Sequence, residues 1–185
     1  MKSFQQVLVI ADPIIPRIGR KEVDWDLSIL ETIIQNTNIL YTSLLPGPEL
    51  EAAKIAYSNN IPYIVTVPYK KICSRWPKRI EQSYNFYLKR SLKTIYIDRE
   101  IEYISDYTEP GNFHKQKSLN QIQYILNKIS LFEGNSALFG YFSKKTSRKL
   151  VYLNEFFKNS QDTHQWRFFQ NTYFEKYTIE DDLPF

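Results

Sequence analysis

The sequence predicts an α/β domain built on a parallel β-sheet with helices on both faces, and three observations predict it. Short apolar, β-branched runs recur along the chain, stretches of helical hydrophobic spacing follow them, and turn-forming residues mark the joints. A length of 185 residues with 43% apolar content suits one domain with its own core.

Gln6 to Ala11 (QVLVIA) reads as a first buried strand, closed by Asp12-Pro13. Trp25, Ile29, Ile33 and Ile34 then fall at helical spacing after Asp24, a residue type suited to an N-cap. Asn38 to Ser43 is a second strand, LLPGP a loop, and Glu49 to Ser58 a helix whose Ala52, Ala53 and Ala56 let it sit close to a sheet. Pro62 to Val67 is a third strand, Ser83 to Leu92 a helix, and Thr94 to Ile97 a fourth strand. Ser118 to Ile129 is amphipathic, with Leu119, Ile122, Ile125, Leu126 and Ile129 inward; Ala137 to Phe142 is a fifth strand and Leu150 to Lys158 the helix after it. An aromatic block at Trp166 to Phe174 folds back on the domain, covering an edge of the sheet in the simplest reading. The alternation predicts a Rossmann-like parallel sheet of about five strands with right-handed crossovers. It divides the chain into a domain over residues 1–158, an aromatic extension over 159–179 and an acidic tail over 180–185.

Composition narrows the functional classes. A single cysteine, Cys73, makes no internal disulfide, and no apolar run reaches the roughly 20 residues of a membrane span, so a cytoplasmic, membrane-free protein is expected. Cys73 lies beside Lys71 and Arg75, cations that would lower a thiol pKa. His114 and His164 fall in polar segments read as loops, and no grouped Cys and His residues suggest a metal; neither metal nor cofactor is expected. The net charge is +4, but the last twelve residues carry −3, leaving +7 on the remainder, a balance compatible with phosphate-bearing partners.

Thr42-Ser43, Pro46-Gly47, Glu49, Ala52-Ala53, Ala56, Ile61-Pro62-Tyr63, Pro68-Tyr69, Trp76-Pro77 and Tyr84 together make residues 6 to 155 resemble the SLOG superfamily. That superfamily holds the YpsA-like proteins, the DNA-processing A proteins and the lysine-decarboxylase-like nucleotide hydrolases. The resemblance implies a Rossmann-like fold with a phosphate or nucleotide held between the second strand and the next helix. It places Thr42, Ser43, Gly47 and Glu49 in that ligand site. Here the loop keeps one glycine, and Pro46 and Pro48 lack N–H donors, so the resemblance speaks for architecture more than for activity. Asp12 and Asp98, at the ends of strands one and four, are further candidates for the crevice; the plainer reading is that Asp12 caps a turn and Asp98 pairs with Arg99 or Lys93 on the surface.

Glu180, Asp181, Asp182, Leu183, Pro184 and Phe185 resemble the C-terminal tip of bacterial single-stranded-DNA-binding proteins, which implies docking onto proteins of DNA replication or repair. In such a tip an aromatic ring anchors, proline limits the freedom lost on docking, and the acids speed encounter. Between Tyr69 and Lys93, Lys70, Lys71, Arg75, Lys78, Arg79, Lys89 and Arg90 are interleaved with aromatic residues, among them Trp76 as the first candidate for stacking a base. Basic charge with stacking rings is the equipment of single-strand binders.

The leading expectation is a non-catalytic or weakly catalytic accessory of DNA replication, recombination or repair that binds single-stranded DNA and recruits partners through its tail. One alternative is a SLOG-type nucleotide sensor or N-glycosidic hydrolase using Glu49 or Asp98. Another is a tail mimic that competes for partner pockets without touching DNA. A homo-oligomer is compatible with all three.

Overall fold

The first strand, β1 (Phe4–Ala11), is apolar on both of its faces. Val7, Val9 and Ala11 enter one core while Leu8 and Ile10 enter another, so it must lie inside a sheet covered on both sides. The computed structural model places it there. Its described residues are 4–13, 27–74, 76–98, 110–129, 136–142, 147–159 and 166–172; side chains at 110–115, 128, 129, 159 and 166–172 lie outside the description.

Among the described residues five further strands join it: β2 (Thr37–Thr42), β3 (Tyr63–Tyr69), β4 (Lys93–Asp98), β5 (Ser136–Phe142) and β6 (Trp166–Thr172). All pair in parallel, in the order β4-β3-β2-β1-β5-β6. The sheet therefore has one strand more than the sequence reading expected. The additional strand lies in the aromatic block, which covers the β5 edge of the sheet by pairing with it as a strand.

Helices α1 (Ser28–Gln35), α2 (Pro48–Ser58) and α3 (Lys78–Leu88) cover one face, sending Leu30, Ile34, Ala52, Ala53, Ala56 and Tyr84 into the core that also holds Val7, Val9 and Ala11 of β1. The three alanines are fully buried, as their small size suggested. Helices α4 (Pro110–Ile129) and α5 (Arg148–Asn159) cover the other face with Ile122, Ile125, Leu126, Leu150 and Leu153. Right-handed crossovers require this division, because the chain steps outward from β1 to β4 and then returns past β1 to form β5. Among the described residues no helix is long and apolar enough to cross a membrane.

Two helices begin earlier than their hydrophobic spacing suggested. Chain direction changes at Pro77, and the polar first turn Lys78-Arg79 is already helical. α4 starts at Pro110, where proline suits a first turn that needs no N–H donor. His114 thus lies within a helix and not in a loop, whereas His164 and Asp24 fall outside the described residues.

Candidate functional site

The reversal of strand order lies between β1 and β5, and the carboxyl ends of these strands mark where a doubly wound sheet opens toward a ligand. The β2–α2 loop and the start of α5 converge there. Thr42, at the end of β2, is buried; its hydroxyl donates to the Glu49 carbonyl at 2.8 Å and accepts from the Leu44 N–H at 3.2 Å. The loop then turns sharply. Leu44 adopts φ 57°, uncommon for a bulky side chain, and Gly47 adopts φ 106°, ψ −143°, which only glycine reaches readily. Those two turns bury Leu44 and Leu45 beneath the sheet end and set Glu49 in the first turn of α2, aimed at β1.

Glu49 is 1% exposed. Its Oε1 accepts the Ala11 N–H at 2.8 Å and lies 3.7 Å from Lys149 Nζ, while Lys149 also donates to the Ala11 carbonyl. Ser147, just before α5, donates to Asp12 Oδ1 at 2.9 Å. Burial pushes the Glu49 carboxyl above its ordinary range; Lys149 and the Ala11 N–H, with smaller help from the Ser43 hydroxyl and Leu45 N–H, offset this only in part. Among the described residues Oε2 completes no hydrogen bond. The helix start that would attract an external anion thus holds the protein's own carboxylate, neutralised from across the sheet.

Of the predicted ligand residues, the fold brings Asp12, Thr42, Ser43, Gly47 and Glu49 to this one place. Asp98 lies apart, at the end of β4, paired with Lys117 of α4. Lys149 and Ser147 complete the cluster and were missed as site residues, because the run Lys144–Lys149 after the fifth strand reads in the sequence as a second basic stretch suited to phosphate contact. The one available signal was that it follows the fifth strand, where a doubly wound sheet places site residues.

The basic residues sort along α3. Lys70 and Lys71 follow β3, Lys78 and Arg79 open the helix, and Lys89, Arg90 and Lys93 follow its far end; all are exposed, while Arg75 lies outside the described residues. Arg79, Gln82, Phe86 and Lys89 are exposed at spacings that share one helical side over about 15 Å. Trp76 is half-buried, edge-on to Tyr84 at 5.3 Å, so the ring most open to stacking on this side is Phe86, 39% exposed, with the Arg90 guanidinium 3.5 Å above it. Cys73 is buried at the wall of a cavity of about 340 Å³ between α3, β3 and β4. Burial, then Glu81, pushes its thiol up, reversing the lowering that its cationic neighbours suggested. No group of His, Cys, Asp and Glu among the described residues is arranged to hold a metal. The tail, Glu180 to Phe185, lies outside the described residues.

Compared with known proteins, the sequence matches no family model and no curated protein at a significant level.

Proposed function

We propose that this protein is a non-catalytic accessory of DNA replication, recombination or repair. In this reading it holds single-stranded DNA along the outer side of α3 and recruits partner proteins through Glu180 to Phe185. The observation that carries the reading is the exposed line Arg79, Gln82, Phe86 and Lys89, flanked by Lys70, Lys71 and Lys78 at one end and Arg90 and Lys93 at the other. Cations along this line neutralise successive phosphates, and the Arg90 guanidinium, stacked on Phe86, offers a base a flat cationic surface. The internal neutralisation of Glu49 by Lys149 supports a scaffold role for the switch point.

Fluorescence anisotropy of labelled single-stranded DNA with the full chain tests this reading. Binding should weaken with salt, and each of Arg79→Glu and Lys89→Glu should lower the salt slope by about 0.7 while weakening all sequences alike. Absence of binding at low salt would refute DNA contact; partner binding that still depended on the tail would then favour the tail-mimic reading.

One observation favours a second reading, a nucleotide sensor of the SLOG type. The orphan Oε2 of Glu49 is a buried acceptor suited to a hydroxyl or amino donor from a ligand. Calorimetric nucleotide binding that Gly47→Trp abolishes while the far-ultraviolet spectrum stays that of the wild type would support it.

A further inference from the structure

At the end of the sheet opposite the switch point, the last turn of α2, the start of β3 and the α3–β4 turn enclose an open groove of about 300 Å³. Tyr57, Ile61, Pro62, Tyr63 and Leu92 supply its apolar wall, Asn60 and Arg90 its polar part. The walls are fixed from within: the Leu92 N–H donates to the Tyr63 carbonyl at 2.9 Å, the Tyr63 hydroxyl to the Tyr87 carbonyl at 2.6 Å, and Arg90 to the Phe86 carbonyl at 3.1 Å. Burial, with Tyr87 adding to it, pushes Tyr63 up to about 12, so the hydroxyl stays protonated and keeps donating. Apolar surface is nonetheless left open here. Leu92 is 66% exposed and Tyr57 43%, with Phe86 edge-on to Tyr57. Among the described residues no acid lines the groove, while Lys89 and Lys93 stand exposed beside Arg90 and Leu92.

An apolar floor with a cationic rim is complementary to an acidic segment bearing apolar side chains. The chain contains one: Glu180-Asp181-Asp182 followed by Leu183-Pro184-Phe185. We propose that this groove binds the Leu183–Phe185 tip of a second copy of the chain, with Arg90, Lys89 and Lys93 facing Glu180 to Asp182. Such a volume, at the lower limit of ligand sites, suits one or two side chains better than a nucleotide.

Reach assigns the tip to a neighbour. β6 ends at Thr172, at the carboxyl end of the sheet, and lies four strand positions from β3, whereas the groove lies at the amino ends of β3 and β4. A path down the β6 edge and across beneath the sheet covers about 23 Å plus 19 Å. Thirteen residues from Tyr173 to Phe185 span about 45 Å only when fully extended, so docking within one chain requires nearly complete stretching. A neighbour's tail docks without that constraint. The contact is then head-to-tail, and chains of subunits grow until tips or grooves run out.

The inference does not depend on DNA binding, and its test contains no DNA. Light scattering of the full chain at low salt should show mass rising with concentration, and removal of residues 180–185 or the pair Arg90→Glu/Leu92→Asp should weaken association at least about tenfold. Both substituted side chains are exposed, and an unchanged far-ultraviolet spectrum and melting temperature would confirm that the fold is intact. Mixing the tail-less chain with the full-length Arg90→Glu/Leu92→Asp chain should then yield a complex that stops at one to one, since it has no working groove or tip left. A full chain that stays monomeric at every concentration, a tail-less chain that associates as the full chain does, or a mixture that forms no complex would overturn the proposal.

Discussion

Glu49 and Lys149 meet from opposite faces of the sheet, one on α2 and the other on α5, and both are nearly inaccessible to water. Taking a carboxylate and an ammonium out of water costs each several kcal/mol, and their attraction returns this only while both are present. Lys149→Met should therefore lower stability by about 3–5 kcal/mol, read as a fall in urea midpoint, and Glu49→Gln added to it should restore most of the loss. The pH dependence follows from the same carboxyl. Its pKa is raised in the folded chain above the ordinary 4.5, so the folded state binds more protons than the unfolded one. The associated stability is complete below the ordinary value and declines as pH rises through the raised one. Urea midpoints between about pH 4 and 8 should fall with pH for the wild type relative to Glu49→Gln, and more steeply in Lys149→Met, where the offsetting cation is gone.

The β2–α2 loop shows what an element can demand of one residue. Gly47 precedes α2 in a backbone region that a Cβ disfavours, and its carbonyl accepts the Leu50 and Glu51 N–H groups at 3.1 Å. Gly47→Ala should cost about 1–3 kcal/mol, visible as a lower melting temperature, against the few tenths typical of an exposed glycine. Beyond this loop, strands β1 to β5 and all five helices were legible because their residues follow the 2.0 and 3.6 periods of a half- or fully buried surface. Starts of α3 and α4 were not, since Pro77-Lys78-Arg79 and Pro110-Gly111 carry no apolar spacing and proline reads as a break. The aromatic run in β6 lacks alternation, so its place as a strand rests on pairing with β5. At the site, Thr42 and Glu49 were named through the superfamily resemblance that their loop carries, not from periodicity. Lys149 was not, because its partner lies 100 residues away and adjacent lysines and arginines disguise it as surface.

For the whole molecule, β6 decides where the domain ends. All seven residues of β5 are buried, and β6 pairs along its full length from Ser136↔Trp166 to Phe142↔Thr172. A chain ending at Asn159 would expose that strand as a long apolar edge, a template for pairing with other chains. Such a truncation should aggregate, measured by soluble yield and light scattering, whereas loss of residues 180–185 alone should leave the melting of dilute, monomeric protein unchanged. The sheet order also bears on how the molecule is made. β1 leaves the ribosome before the other strands of the sheet, yet one of its two neighbours, β5, lies 130 residues downstream, as the Gln6–Ser136 hydrogen bond shows. During synthesis β1 to β4 can zip together through successive neighbours while the far side of β1 waits unpaired. At about 5–20 residues per second that wait lasts on the order of ten seconds, a long exposure for the most apolar strand and a natural point for a chaperone to hold the nascent chain.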